Sequence, residues 1–359
     1  MITPIYLCRG AFSHYRRYIS QSTHDPLKIA FFGSDNFSVA SLNKLIQYQK
    51  KNPDKVNRVH VITRSLKPQG RYMKTVQDLP VGKFSSQQGL SIMRADTSQE
   101  ITQLSEQYLF NLVIAVSYGR LIPSTFIQHC KYGGLNVHPS LLPKYSGSSP
   151  LQYALLNDDK FTGCTVQTLH PTKFDHGDII IQSSEILILD DDNSVSLFKK
   201  FGEIGGDLLV KSIDQGLFVN PTPIENNYTR SMAPKIPKAK LQVFWNKYLA
   251  REIKRLYDAL GPIFTFLNVN VIRKRKQICE KQRVILSCVK EYHLTDSFEQ
   301  LKEPGDFLLV EEGLLVKAKK GGVLVERIKM QAQEEESPEK FIGTYSKKVG
   351  PDMPKHFIN

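Results

Sequence analysis

The stretch Lys28-Ile29-Ala30-Phe31-Phe32-Gly33-Ser34-Asp35 indicates the fold of the first half of this 359-residue chain. Its apolar run ends at a glycine, and apolar residues at helical spacing follow through Leu42 and Leu45, which predicts a strand, a turn and a helix. Residues 60–63 and 112–116 are further apolar runs of strand length. Such runs, alternating with helices, are typical of a parallel sheet covered on both faces. We therefore predict an α/β, Rossmann-like domain with a mostly parallel sheet.

Ligands of such sheets bind in the crevice outside the carboxyl ends of the strands. Gly33 is the one glycine where a dinucleotide-binding fingerprint needs three, and no P-loop pattern occurs in the sequence. The pattern therefore indicates a Rossmann-like scaffold without a nucleotide site. Further along, we predict a helix over residues 150–156, strands over 165–169 and 179–188, and a closing helix over 195–213.

A proline-rich, polar stretch over residues 220–237 predicts an interdomain linker. It separates a domain over 25–219 from a C-terminal domain over 238–359. A helix is predicted over 245–260, and the apolar runs after it are short. They lie at residues 265–272, 284–289, 307–310, 314–318 and 322–328. Short strands at this spacing favour a small, OB-like β-barrel, a fold that often binds oligonucleotides.

The charge of the chain favours a polyanionic partner, with nucleic acid ahead of a membrane surface. The formal net charge is +13, and the residues from Ser231 onward carry 24 Lys and Arg against 16 Asp and Glu, a net +8. The alternative is a basic enzyme with no such partner. No window approaches the roughly 18 consecutive apolar residues of a membrane span, so we expect no membrane insertion.

The first 24 residues have the composition of a mitochondrial presequence. They contain Arg9, Arg16 and Arg17, and no acidic residue precedes Asp25. A frayed N-terminus is the alternative interpretation. The five cysteines are scattered without a C-x-x-C pair, which disfavours a structural zinc site and a disulfide framework. We expect reduced thiols in a reducing compartment, and the sequence does not determine an oligomeric state.

The residue types needed for acyl transfer lie at Asn136, His138 and Asp175. Asn136 and His138 are two residues apart, so on a strand their side chains share one face, and Pro139 ends that strand. An imidazole can transfer protons near neutral pH, and an amide can donate to a developing oxyanion. A carboxylate can orient the imidazole. An Asn-x-His pair by itself is more often a turn or a buried structural histidine.

The neighbouring residues resemble the folate-dependent formyltransferase family. The resemblance covers about residues 27–215 and consists of several motifs in order. They are Val116-Ser117-Tyr118-Gly119, Leu121-Ile122-Pro123, Asn136-Val137-His138-Pro139-Ser140-Leu141-Leu142-Pro143, Gly147, Ser149-Pro150, Thr162-Gly163-Cys164-Thr165-Val166 and Phe174-Asp175-His176-Gly177-Asp178-Ile179-Ile180.

The resemblance implies that Asn136, His138 and Asp175 are catalytic. It implies a folate-binding set made of Ser140, Leu141, Leu142, Pro143, Tyr118 and Gly119. It also implies 10-formyltetrahydrofolate as the formyl donor and no metal. His138 and Asn136 would stabilise the oxyanion formed when an amine attacks the formyl carbon.

Members of the family formylate different amines: a purine ribonucleotide intermediate, amino sugars or methionyl-tRNA. Residues 230–236 followed by Trp245, and the basic loop after the second strand, resemble the branch that acts on initiator methionyl-tRNA. This resemblance implies tRNA contacts for Arg64, Lys67, Arg71 and Lys74, and the charge pattern predicts phosphate contacts for Arg273, Lys274, Arg275 and Lys276. A solvated hairpin tip is the alternative for the second group. The implied location is the mitochondrial matrix; a sugar-amine formyltransferase and a non-enzymatic RNA-binding protein are the competing hypotheses.

Overall fold

A computed structural model describes residues 24–69, 75–273, 276–292 and 296–359 of the chain. The predicted presequence, except for residue 24, lies outside the described residues. The same is true of four residues predicted to contact tRNA, namely Arg71, Lys74, Lys274 and Arg275.

The N-terminal part is built on a seven-stranded sheet. The strands of this part are β1 (Leu27–Gly33), β2 (Val56–Thr63), β3 (Lys67–Gln69), β4 (Thr75–Gln77), β5 (Ser91–Arg94), β6 (Leu112–Val116), β7 (Gly134–His138), β8 (Phe161–Thr162), β9 (Thr165–Thr168), β10 (Ile179–Gln182) and β11 (Ile186–Leu187). The helices are α1 (Asn36–Lys51), α2 (Pro80–Gln87), α3 (Ser98–Gln107), α4 (Ser124–His129), α5 (Pro150–Leu156) and α6 (Ser194–Asp214).

The order of the large sheet is β10-β9-β7-β6-β1-β2-β5. Strands β7, β6, β1, β2 and β5 are parallel, whereas β9 runs antiparallel to β7 and β10 antiparallel to β9. Phe31 and Phe32 of β1 are both fully buried, but they belong to two different apolar clusters. Since neighbouring strand residues point to opposite faces, both faces of the sheet are covered, which confirms the Rossmann-like, mostly parallel prediction.

The C-terminal part is a five-stranded antiparallel sheet with short helices. Its elements are α7 (Ala250–Leu260), β12 (Ile263–Arg273), β13 (Lys276–Tyr292), β14 (Phe307–Val310), β15 (Gly313–Lys317), β16 (Gly322–Met330), α8 (Pro338–Gly343) and α9 (Tyr345–Val349), with 3-10 turns at Lys238–Leu241 and Asp296–Gln300. The strand order is β12-β13-β16-β15-β14.

The last residues of the chain bridge the two edges of this sheet. Ile358 N–H donates to the carbonyl of Phe266 on β12 over 2.8 Å, and Phe307 N–H at the start of β14 donates to the carbonyl of Lys355 over 3.1 Å. The sheet therefore curls into a barrel-like form, closed on one side by a terminal segment. The predicted small antiparallel barrel is confirmed in this form.

Three predicted elements differ from the structure. The strand expected over residues 179–188 is two strands in different sheets, because it breaks where the Ser183 hydroxyl accepts the Cys164 N–H at 3.0 Å. The helix expected from Trp245 begins at Ala250, since Trp245 is buried in the barrel core with its Nε1–H donated to Thr265 Oγ1 over 2.8 Å. The strand expected over 284–289 extends over the whole of β13, whose outer residues are mostly polar and at least partly exposed.

Charged residues join the two parts of the chain. Asp158, just after α5, accepts hydrogen bonds from Arg251 and Arg255 of α7 at 2.9 and 2.7 Å. Arg255 is only 2% exposed, so this contact orders a buried cation at the interface. Among the described residues, no helix combines the length and apolar character needed to cross a membrane.

Candidate active site

The site lies where β7 ends at the carboxyl edge of the large sheet. Antiparallel pairing with β9 sets Asn136 opposite Gln167 and His138 opposite Thr165. Asn136 and His138 point to the same face, as their spacing predicts, and both reach Asp175 in the loop between β9 and β10. The pairing also brings Gln167 to the same carboxylate.

Asp175 is held by four polar contacts. Its Oδ2 accepts the Gly147 N–H at 2.7 Å and lies 3.3 Å from His138 Nε2. Its Oδ1 accepts from the side-chain amides of Asn136 at 3.3 Å and Gln167 at 3.2 Å. Asp175 has a φ of 53°, a left-handed conformation that few non-glycine residues adopt and that aims its carboxylate at these donors.

The contacts of the His138 ring indicate which of its nitrogens carry a hydrogen. The Ser140 hydroxyl donates to the carbonyl of Lys144 at 2.7 Å, so it is left to accept from His138 Nδ1–H at 2.9 Å. Nε2 faces the carbonyl of Gly147 at 3.1 Å and the Asp175 carboxylate. Since both ring nitrogens face acceptors, the arrangement suits a doubly protonated, cationic imidazole.

Two carboxyl groups of the site have shifted pKa values in opposite directions. Burial opposes ionisation of Asp175, but the charge and hydrogen bond of His138, with the donors Gly147 and Gln167, outweigh it and lower the pKa of Asp175. Burial raises the pKa of Asp35, which caps the first turn of α1 through Ser38. The carboxylate of Asp175 is therefore ionised near neutral pH and paired with His138.

A cavity of about 510 Å³ opens beside these groups. Asn136, His138 and Asp175 line it together with Tyr118 and Gly119 from the loop after β6. Its other lining residues are largely apolar and include Ile122, Leu169, Phe174 and Phe198, with Asp35, Arg120 and Lys173 among the charged ones. A mostly apolar cavity with a few convergent polar groups is typical of a small-molecule site.

The predicted folate contacts divide into two groups. Tyr118 and Gly119 line the cavity, although the Tyr118 hydroxyl is turned inward to donate to the carbonyl of Ala95 at 2.6 Å, and burial raises its pKa to about 12. Ser140, Leu141 and Leu142 are buried and Pro143 is partly buried, and none of the four lines the cavity. The Leu142 N–H is donated to Thr165 Oγ1 at 3.1 Å, so this stretch contacts the start of β9.

Of the predicted tRNA contacts, Arg64 and Lys276 do not line the cavity. Arg64 follows β2, and its Nε is buried without a hydrogen-bond partner among the described residues. The backbone of Lys67 is in the short hairpin of β3 and β4. Arg273 and Lys276 pair at the tip of the long β12–β13 ribbon.

Sequence reasoning missed three residues of the site. Gly147 and Gln167 contact Asp175 directly, and Asp35 lines the same cavity. Gln167 is a polar residue in the middle of a predicted strand, a signal that could have been noticed. Gly147 is part of the motif resemblance, but the contacts of its backbone with Asp175 and His138 could not be predicted from its residue type. Among the described residues, no group of three or more His, Cys, Asp or Glu could hold a metal ion.

Comparison with known sequences identifies relatives over most of the chain. Residues 27–213 match the formyl transferase family. The sequence is 33% identical to the mitochondrial methionyl-tRNA formyltransferase of Saccharomyces cerevisiae, over 75% of this chain and 77% of that protein. It is 26% identical to the methionyl-tRNA formyltransferase of Caldicellulosiruptor saccharolyticus, over 90% of this chain and 99% of that protein.

Solved structures with a similar fold include two at low sequence identity. HypX from Aquifex aeolicus, in complex with tetrahydrofolic acid, gives a TM-score of 0.57 at 15% identity and covers 90% of this chain. The match covers 48% of HypX, so this chain spans about half of that protein. The sugar 3N-formyltransferase WlaRD, in the presence of dTDP and 5-N-formyl-THF, gives a TM-score of 0.52 at 18% identity, over 87% of this chain and 100% of that one. At these identities the likeness shows a shared fold.

Proposed function

This chain belongs to the formyl transferase family, and we infer that it transfers the formyl group of 10-formyltetrahydrofolate to the amino group of methionine on methionyl-tRNA. The observation that carries the chemistry is the convergence of Asn136, His138 and Asp175 on the wall of one cavity. The choice of methionyl-tRNA as acceptor is supported by similarity to a methionyl-tRNA formyltransferase over both the catalytic part and the C-terminal part.

The cavity suits the donor in size and character. Its volume of about 510 Å³ lies inside the range of roughly 300–1,000 Å³ that is typical of small-molecule sites. We assign the apolar walls around Tyr118, Ile122 and Phe174 to the flat ring system of the folate. Bound there, 10-formyltetrahydrofolate supplies an activated formyl carbon on an aryl nitrogen.

We assign the polar wall of the cavity to the reaction itself. When the amine attacks, the formyl oxygen gains negative charge, and the positive charge of His138 stabilises it. Asn136 donates one amide hydrogen to Asp175, and its second amide hydrogen is available to donate to the formyl oxygen. The Asp175 carboxylate, 3.3 Å from His138 Nε2, orients the imidazole. As the bond to the folate nitrogen breaks, that nitrogen takes up a proton and the amine loses one, so no net proton is consumed.

The C-terminal part offers a cationic surface for the acceptor. On the paired strands β12 and β13, Arg283 lies over the Phe264 ring at 3.8 Å and Lys281 over the Phe266 ring at 4.2 Å. We assign phosphate contacts of the tRNA to this face and to the ribbon tip that carries Arg273 and Lys276. Phosphate contacts bring affinity and salt dependence, and identity of the initiator tRNA has to come from other contacts.

The yeast relative and the composition of the N-terminus support a mitochondrial location. The yeast relative is a mitochondrial enzyme, and the first 24 residues of this chain contain arginines and no acids. We propose that the protein is mitochondrial and acts in the matrix, in translation initiation.

The test is formylation of methionyl initiator tRNA by the purified chain, with 10-formyltetrahydrofolate as donor and elongator methionyl-tRNA as control. Transfer to the initiator in preference to the elongator is the expected result. Transfer to an amino sugar nucleotide but to neither tRNA would replace the acceptor. Binding of tRNA without any transfer would contradict the enzymatic function.

A further inference from the structure

The linker between the two parts of the chain lies directly on a loop of the active site. We name residues 230–233 the linker clamp and residues 143–149 the Gly147 loop. Inside the clamp, Ser231 N–H donates to the carbonyl of Pro143 at 3.2 Å, and the Ser231 carbonyl accepts the Ser146 N–H at 2.8 Å. The Ser231 hydroxyl also accepts the Tyr145 N–H at 2.9 Å.

Ala233 continues this pairing on the other side of Gly147. Its N–H donates to the carbonyl of Ser146 at 2.7 Å, and its carbonyl accepts the Ser149 N–H at 3.0 Å. Ala233 is fully buried and belongs to the core of the catalytic part. The clamp therefore pairs with the Gly147 loop like a short strand and holds it on both sides of Gly147.

Gly147 is the point where this pairing meets the chemistry. Its N–H donates to Asp175 at 2.7 Å, the shortest contact of that carboxylate, and its carbonyl faces His138 Nε2 at 3.1 Å. Its φ of 131° is a conformation that favours glycine, and a Cβ here would lie 2.5 Å from the carbonyl oxygen of Ala233. The linker backbone thus occupies the space that a side chain at residue 147 would need.

We propose that the linker clamp is a positioning element of the active site: through Ser231 and Ala233 it fixes Gly147 so that both backbone groups of Gly147 orient the Asp175–His138 pair for formyl transfer. This inference rests on the function proposed above. It gives the linker a part in the catalytic step besides connecting the two parts of the chain.

The clamp has a consequence that a purely structural contact would not have. The hydrogen bond from Gly147 is one of the causes that lower the pKa of Asp175, so displacement of Gly147 raises that pKa. The other titratable groups lining the cavity are Asp35 after β1, Tyr118 and Arg120 after β6, His138 on β7, and His170 and Lys173 in the loop that carries Asp175. None of them is in the clamp, whose one charged residue, Arg230, donates to the Ser146 hydroxyl at 3.1 Å; the variants below change no charged residue.

The experiment compares Ala233→Pro with Ala233→Gly in the full-length protein. Proline removes the N–H that pairs with Ser146, whereas glycine keeps it. For each variant we would measure kcat across pH, KM for 10-formyltetrahydrofolate and for methionyl-tRNA, and thermal unfolding. A displacement of about 1 Å in an active site can lower the rate roughly 100-fold, so we expect a 10- to 100-fold lower kcat for the proline variant.

The expected result has three parts. The acid limb of the pH profile of kcat moves to higher pH in Ala233→Pro, both KM values change less than threefold, and the loss of kcat in Ala233→Gly is several-fold smaller than in Ala233→Pro. A lower kcat with an unmoved acid limb would overturn the proposal, because it indicates a general loss of structure. A raised KM for tRNA with an unchanged kcat would overturn it in favour of a binding role.

A second variant covers the case in which Ala233→Pro does not fold. Ser231→Ala removes only the hydroxyl that accepts the Tyr145 N–H, and we expect a several-fold lower kcat with the same direction of shift in the acid limb. Wild-type kcat and pH profile in this variant would then overturn the proposal. Failure of the wild-type enzyme to transfer formyl would contradict the proposed function instead, so the two failures are distinguishable.

Discussion

Replacing Asp175 with asparagine tests the central ion pair of the site. The change keeps the size of the side chain but removes the charge opposite His138 Nε2, which lies 3.3 Å away. It also places an NH₂ group where all four neighbouring groups are donors or, at His138, a cation. Whichever way the new amide is turned, its NH₂ group faces either the side-chain amides of Asn136 and Gln167 or the Gly147 N–H and His138.

The magnitude follows from the distance and the burial. Unit charges 3.3 Å apart attract by about 5 kcal/mol at an effective dielectric constant of 20. Both side chains are less than a tenth exposed, so solvent screens this attraction little. If about 3–5 kcal/mol of it acts on the transition state, kcat falls roughly 10²- to 10⁴-fold. We expect KM for both substrates to change little.

The assay is single-turnover formylation at saturating donor and tRNA, with Asp178→Asn as the matched control. Asp178 belongs to the same loop and carries the same charge, but it is exposed and does not line the cavity. The control should keep at least half of the wild-type rate. A loss below tenfold in Asp175→Asn, or an equal loss in both variants, would refute the assignment of Asp175.

The same variant has a defined effect on stability against pH. The pKa of Asp175 is lower in the folded protein than its ordinary value of 3.8. Its ionised form therefore stabilises the fold above about pH 4, and this contribution is lost as the pH falls through the folded pKa. The difference in unfolding free energy between the wild type and Asp175→Asn should shrink below about pH 4. A difference independent of pH would contradict the ionised pair.

The remaining predictions concern the interface, the catalytic loop and the tRNA surface. Asp158→Ala leaves buried Arg255 without its closest carboxylate, and because Asp158 is itself about one third exposed, we expect a cost of about 1–3 kcal/mol in urea unfolding; no measurable cost would contradict the role of this contact. In Gly177→Ala the new Cβ would lie 1.7 Å from the Thr168 carbonyl oxygen, so the loop that carries Asp175 has to move and kcat should fall at least about tenfold; an unchanged kcat would show that the loop tolerates the shift. Arg283→Ala should raise KM for tRNA and leave KM for folate unchanged. The slope of log affinity for tRNA against log salt concentration should fall by about one, as for the loss of one phosphate contact; an unchanged slope would remove this residue from the phosphate contacts.

The sequence by itself predicted several elements of the catalytic part and the residue types of its candidate site. Apolar runs with the periods of strands and helices are local properties of the chain, so β1, β6 and α5 were predicted within a residue or two. The common face of Asn136 and His138 also follows from a local rule, the alternation of side chains along a strand. Motif order then indicated the family, which homology confirmed.

Only the tertiary structure decided which groups surround the carboxylate. Asp175 lies 39 residues after Asn136 and meets it through the strand pairing of β7 with β9 and the left-handed turn after them. Gly147 contributes backbone groups that every residue has, and its position depends on a linker more than 80 residues away. Strand register and loop path depend on the packing of distant segments against each other, and no local pattern encodes them. For that reason the residue types of the site could be predicted, whereas its supporting hydrogen bonds could not.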